Sequence, residues 1–458
     1  MTRPGGRREA FRMQGNSSWL RSRSPGARLA GLPLVLVLTG GALTACMLDE
    51  NGLARPPATT TSPSGGGEGG AGGGAGGTGG GGAGGGGEPG VLAQWTAGEP
   101  DPDTGTYTLP GWLVLESPSE NKTAQVGPGA LRTGFGPDAA RARSVDGVAW
   151  GLAVEGERTN RMLNARVAQP GWTLINGATL AKVTGPDGAD LAATVTDVNP
   201  SLVASAYEQF QGMPGEAATF SAWVTTEDSE ASLECNSFPL GSPDTYGVTV
   251  PPSSGWQRVS LTGVEQSGAA SLLRLEPASD GSMAVGSTTF DLVSIETGRY
   301  PSSVILTEGD PVTRKAERLH VATPSDVAPG GWFHVTLVVA PHYASGEQAG
   351  EHDLLWFDGL NRLYLRADGA VALQAEGSDA LVTAPLTWKR DQALTIEVKS
   401  APSGRSLRVA GAEEGEVSDE DPSGIALPLP VAKFFVLGSD IGSQEGADLR
   451  EITFFPPM

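Results

Sequence analysis

The sequence predicts an all-β fold, two antiparallel β-sandwich (jelly-roll) domains reached through an apolar leader and a glycine-rich tether. Three observations predict it. From about Val91 onward, short apolar–polar alternations of period two recur along the chain. Turn residues separate them every eight to twelve residues as far as Met458, and no window sustains the i, i+3, i+4 spacing of an amphipathic helix. Alternation of this kind gives each strand one apolar and one polar face, the pattern of antiparallel sandwiches.

Taken in order, the chain opens on a basic leader carrying Arg3, Arg7, Arg8, Arg12, Arg21, Arg23 and Arg28. Leu29 to Leu43 then supply about fifteen mostly apolar residues, too few and too glycine-broken to span a bilayer. The run closes on Leu43-Thr44-Ala45-Cys46. This quartet resembles the lipobox of bacterial lipoproteins, in which the cysteine is lipidated and becomes the first residue of the mature protein. The resemblance implies a signal peptide over 1–45, acyl chains on Cys46 and a membrane held through that lipid. Lipoproteins kept on the inner membrane commonly carry Asp directly after the cysteine. Here Met47 stands there and Asp49 comes two residues later, which implies the outer membrane or cell surface. Met13 offers a second start with a shorter leader.

Residues 46–90 read as the lipidated N-terminus and its tether. Gly65 to Gly90 is almost wholly glycine, broken only by Glu68, Ala71, Ala75, Thr78, Ala83, Glu88 and Pro89. Such a segment has no apolar surface to offset its ordering entropy and is expected to be a flexible coil. As a random chain it would reach roughly 25–30 Å. Composition narrows the partners further. The leader's seven arginines and its single carboxylate, Glu9, come off totals of 31 Lys+Arg and 52 Asp+Glu, so the mature chain carries about −27. A surface that acidic repels phosphate backbones and excludes nucleic acid as a partner. With Cys46 lipidated, Cys235 is left with no internal disulfide partner. It shares strand parity with Leu233, which predicts a small buried residue rather than a reactive thiol.

The strands themselves are legible. Thr219 to Thr225 alternates, with Phe220, Ala222 and Val224 on the core face; so do Trp256 to Thr262 and Phe333 to Val339. Leu363 to Leu365 and Val371 to Leu373 flank Asp368-Gly369 and read as a hairpin. Leu394 to Lys399 is another half-buried strand. At Gly151 to Asn160, ending in Arg158-Thr159-Asn160, the chain resembles a segment of phage tail and bacterial surface proteins. There such a strand leads into a carbohydrate-binding-module-like jelly roll. Gly171-Trp172, the strand Thr219 to Thr225, Ser254 to Val259, and Tyr300-Pro301-Ser302-Ser303 through Ala316 keep the order of that module's marks. In those proteins a concanavalin A-like or laminin G-like sandwich often follows. The resemblance therefore implies leading strands or a collar over 91–160, a carbohydrate-binding-module-like sandwich over 161–316 and a concanavalin A-like sandwich over 317–458.

No catalytic motif emerges, and the chain is expected not to be an enzyme. Sandwich hydrolases carry carboxylates alternately along a strand, and the nearest approach, Glu351-His352-Asp353-Leu354-Leu355-Trp356, has tryptophan at the third acidic position. His320, His334, His342 and His352 lack zinc spacing, and alternation with Phe333 and Val335 puts His334 on an outward face. No cofactor is expected beyond a structural calcium, for which Asp419, Glu420 and Asp421, read as a loop, and Asp101 with Asp103 offer hard oxygens.

The binding argument rests on aromatics. Trp223 falls opposite the core face of its strand, and Trp256 lies with Arg258 on the polar face of the next. Tryptophans among hydroxyl-bearing side chains suit sugar rings: the indole stacks on the apolar face while neighbours take the hydroxyls. Tyr207 and Gln209 could complete that surface, and Tyr364, between Arg362 and Arg366, is a weaker candidate in the second sandwich. The competing reading makes the tryptophans plugs beneath a crossing loop. The function expected is thus a membrane-anchored surface lipoprotein binding a polysaccharide or other glycan. The alternatives are a structural or protein-interaction lipoprotein without sugar binding and, last, a carbohydrate-active hydrolase. Cys46→Ser should abolish metabolic palmitate labelling of the protein and release it from the membrane fraction; labelling that persists would dismiss the lipobox.

Overall fold

The structure, a computed structural model, describes residues 90–456 apart from 200–201, 228, 239–246, 267–269, 279–284, 328–331, 349, 423–431 and 443–444. Cys46, the leader and nearly all of the tether lie outside the described residues. What is described is almost wholly β, and the strand pairings of its main sheets are antiparallel. Among the described residues the one helix is the four-residue turn Pro324–Val327, and no helix is long and apolar enough to cross a membrane.

One sandwich is made of an eight-stranded and a seven-stranded sheet. In the first, Phe333–Pro341 lies between Leu394–Ala401 and Ala447–Phe455. Its alternation behaves as expected: Phe333, Val335, Leu337 and Val339 are buried, while His334 faces outward, bonded to Glu397 at 2.7 Å. The second sheet holds the hairpin Asn361–Leu365/Val371–Gln374. Gly369 at its turn has φ +86°, and a Cβ there would stand 2.8 Å from the Leu386 carbonyl, so glycine is required. Both sheets feed one core that includes Leu337, Ile396, Ile452, Leu363, Phe434 and Trp388.

The leading strands need correcting. Read from sequence as leading strands or a collar over 91–160, they belong to the C-terminal sandwich. Ala93–Thr96 and Gly151–Val154 both pair with Ala447–Phe455, one at each end. Leu113–Glu116 extends the other sheet by pairing with Arg318–Val321. The chain therefore starts this sandwich, leaves it after Val154, and returns to it at Arg318. The intervening residues build a second sandwich inserted into the first.

That inserted sandwich has a seven-stranded sheet around Ala217–Thr226 and Gly286–Thr297, and a five-stranded sheet around Ser205–Gln211 and Ala270–Glu276. Phe220, Val224, Phe290 and Ile295 of one face Phe210, Leu233, Leu273 and Leu275 of the other across a single core. Cys235 is buried there beside Ser237, and burial pushes its thiol pKa up. The stalk is the antiparallel pair Arg158–Asn160 and Val312–Arg314. Asn160 is fully buried: its amide donates to the carbonyls of Val293 and Ile305, and its carbonyl accepts from the backbone of Met162 and Ile295. An apolar residue would take these partners from the Val293 and Ile305 carbonyls and from the Met162 and Ile295 N–H groups.

The crossing points are held by buried charges. Glu155, the first residue after Gly151–Val154, meets Arg141 at 2.9 Å and Arg314 at 3.1 Å. Glu317, on the returning chain, meets Arg141 at 2.8 Å, Lys122 at 3.4 Å and the Glu155 backbone N–H at 3.0 Å. Burial alone would raise the carboxyl of Glu155, but Arg314 and Arg141 hold it well below the usual range. Breaking such a network leaves uncompensated charge. Glu317→Gln should therefore cost about 3–5 kcal/mol in urea unfolding, whereas a loss below about 1 kcal/mol would show that the network is solvated.

Candidate ligand-binding cleft

Where the two sandwiches meet, the chain encloses an open cleft of about 390 Å³. One wall comes from the inserted sandwich. Trp223 and Arg258 stand directly opposite each other on neighbouring strands, with Trp256 two residues before Arg258 on the same face of Ser253–Val264. A second wall is the hairpin Lys122–Gly127/Ala130–Phe135. Its Gly129 has φ +66°, and a Cβ there would lie 2.8 Å from the Trp256 carbonyl, so the hairpin tip sits directly on that tryptophan's backbone. The third wall belongs to the C-terminal sandwich: Arg143 after Ala142, His342 just past Phe333–Pro341, and the pair Arg390-Asp391.

These walls correct the placement of Trp223. Expected on an outward, ligand-facing surface, it is 1% exposed and forms a small apolar cluster with Leu131, Leu292 and Val304. Of the other residues of that face, Thr219 and Ser221 are buried and Thr225 is half-buried. Alternation separates the two faces of a strand correctly but is silent on whether a distant hairpin covers the outer one. Trp256, on the edge strand, remains half-buried and lines the cleft. Arg258 lies beside it, donating to the Ser302 carbonyl and to Ser221 Oγ at 3.0 Å.

The remaining predicted residues lie apart. Tyr207 and Gln209 are on the five-stranded sheet, so no single surface holds them together with Trp256. Tyr207 is half-buried opposite Arg274, which pairs with Glu234 and Glu276 at 3.2 Å each. Tyr364, expected exposed, is only 8% so, because the Arg362 guanidinium covers its ring at 4.0 Å. The acidic trio is not a loop: it ends the strand Gly415–Asp421. Strand geometry turns Glu420 away from its neighbours, Asp419 accepts from the Val382 N–H, and Asp421 is paired with Arg405 at 3.0 Å. Asp101 caps its own turn by accepting from the backbone of Asp103 and Thr104.

Sequence reasoning missed Arg143, Arg390, Asp391, His342 and Asp448, because they are brought together from distant segments with no spacing signal. His342, Asp391 and Asp448 offer one ligand atom each within 4.8 Å. Their chemistry does not suit a metal. Arg143 already donates to Asp391 at 2.7 Å and to Asp448 at 2.8 Å, and His342 bonds Asp448 at 2.8 Å, so a cation would meet a guanidinium at its own position. Burial opposes ionisation of Asp448, yet Arg143 and His342 hold its carboxyl below the ordinary range.

No protein-family model matches the chain, and no curated protein matches it. Solved structures do. A module described as CBM4 is 17% identical over 30% of this chain and 93% of that one, with a TM-score of 0.22. The tandem CBM22 domain of a Paenibacillus barcinonensis protein is 11% identical over 65% and 98%, TM-score 0.25. A tail fibre protein of an E. coli phage is 10% identical over 65% and 41%, TM-score 0.19. Likenesses this distant transfer no ligand to the cleft.

The five-stranded sheet makes its own titration prediction. Burial, with Glu234 nearby, pushes the Glu276 carboxyl up to about 7 from its ordinary 4.5. An acid with a raised folded pKa contributes stability that is full below about 4.5 and lost as the pH rises through 7. Glu276→Gln cannot ionise. Relative to the parent it should gain on the order of 1–2 kcal/mol between pH 5 and pH 8 in urea unfolding, and a difference independent of pH would refute the shift.

Proposed function

We infer that this protein is a lipid-anchored surface protein that holds a glycan, without cleaving it, in the cleft between its two sandwiches. The observation that carries the reading is Trp256: a half-buried indole on one wall, with Gln125, Arg258, Arg390 and Asp391 among the polar groups lining the rest. An aromatic face beside convergent hydrogen-bonding groups matches a saccharide, which is apolar above its ring and polar around its rim. The size is that of a ligand site, and the cleft is open enough for a chain to pass through it.

Binding without turnover is supported by the carboxylates. Glycoside cleavage needs an acid and a second carboxylate across the bond. Asp391 is the one carboxylate lining the cleft among the described residues, and Arg143 occupies it. The anchored location is supported by the lipobox resemblance at Leu43 to Cys46 and by the glycine-rich stretch that follows.

A glycan array on the mature chain, followed by isotherms, tests the reading. Trp256→Ala should weaken binding by 10-fold or more, about 1.4 kcal/mol, while leaving the circular dichroism unchanged. Tyr207→Ala, on the other sheet, should leave it intact. Loss in Tyr207→Ala alone would move the site to the five-stranded sheet, and binding to no glycan would favour the protein-interaction alternative.

A further inference from the structure

We propose that the cleft selects saccharides carrying an anionic substituent, a carboxylate or a sulfate, and that Arg258 is the residue that reads it. This rests on the cleft being the glycan site and names the class of glycan.

The argument begins from charge. The chain as a whole is strongly acidic, at −21, yet this one recess is lined by three guanidiniums, Arg143, Arg258 and Arg390, against a single carboxylate, Asp391. Two of the three are already matched. Arg143 bridges Asp391 and Asp448, and Arg390 grips Glu347 through two contacts of 2.8 Å. Arg258 is held more loosely. Its ion pair, with the buried Glu296 at 3.9 Å, is beyond hydrogen-bond distance, and that carboxylate accepts instead from the hydroxyls of Ser294 and Ser302. The hydrogen bonds Arg258 makes are to a carbonyl and a hydroxyl, neither of which cancels a charge. Burial, with Arg143 and Arg314 adding to it, pulls its pKa down to about 10 against the opposing pull of Glu296 and Glu155.

The hydrogen-bond inventory points the same way. Arg258 Nε and Trp223 Nε1 are both buried with no partner among the described residues. Trp223, 1% exposed, lines the cleft and also an enclosed cavity of about 20 Å³ whose lining includes Arg143, Arg258 and His342. Guanidinium and indole nitrogens can only donate. Those two atoms lie out of a ligand's reach, but the guanidiniums of Arg143, Arg258 and Arg390 that line the cleft likewise favour a group that accepts and nothing else. A neutral sugar hydroxyl both donates and accepts. A carboxylate or a sulfate presents only acceptors and supplies the missing negative charge, and guanidinium planes match both geometrically.

The test measures isotherms of the mature chain with polygalacturonate and its methyl ester, and with dextran sulfate and dextran. The charged member of at least one pair should bind 10-fold or more tightly than its neutral partner, and the preference should shrink as NaCl screens it. The first pair reports a carboxylate and the second a sulfate. Arg258→Gln should erase the preference; Arg390→Gln, at a more exposed guanidinium, should reduce it several-fold even if the first variant folds poorly. Equal binding of charged and neutral partners, both lost in Trp256→Ala, would overturn the anionic selectivity and leave the glycan reading standing. So would a preference that survives in folded Arg258→Gln. Binding of none of the four polymers would overturn the selectivity, with the array deciding the glycan reading separately.

Discussion

The structure depends on a small set of buried charges at the point where one sandwich interrupts another. The chain leaves the C-terminal sandwich at Glu155 and returns at Glu317, and Arg141 lies within 3 Å of both. Arg314 holds Glu155 from the stalk, and Lys122 holds Glu317 from the base of the covering hairpin. Two chain crossings, a stalk and a hairpin thus share one ionic centre. Buried pairs are a weak source of stability compared with apolar packing, but they are demanding about geometry. That demand suits a place where a single angle sets how an entire inserted sandwich stands.

The cleft follows from that junction. Its tryptophans and Arg258 come from the inserted sandwich, Arg143, His342, Arg390 and Asp391 from the host sandwich, and its remaining wall from the hairpin whose Lys122 belongs to the ionic centre. No sheet supplies the site by itself. Arg143 makes the point most directly: it leaves a two-residue strand of the host, ties Asp391 and Asp448 together, and lines the cleft with Trp223 and Arg258. Anything that shifted the crossing would change the distance between the indole and the guanidiniums.

The same frame explains why the apparent metal ligands are a poor home for a cation. His342, Asp391 and Asp448 converge because each helps hold Arg143, which already provides the positive charge a metal would bring. It also explains why the middle of the outer face of Ala217–Thr226 is covered. Ser221 and Ser294 bond each other at 2.9 Å, and Leu131 covers Trp223, so a face rich in hydroxyls serves as an interface rather than a surface.

Periodicity along the chain was enough to determine the all-β class, the core faces of Thr219–Thr225 and Phe333–Val339, the Asp368-Gly369 turn and the burial of Cys235, because each follows from local backbone geometry and from which side of a strand is apolar. It also singled out Trp256 and Arg258 as neighbours on a polar face. What only the tertiary structure decided is what covers each polar face and which segments share a sheet. Trp223, Tyr364 and the Asp419 to Asp421 run were misread for that reason: a hairpin, an arginine and a paired strand, all remote or unmarked in sequence, take up the groups that alternation left free. The insertion of one sandwich within the other was invisible for the same cause, since the pairing of Ala93–Thr96 with Ala447–Phe455 joins the two ends of the described chain through backbone hydrogen bonds that any residues can make.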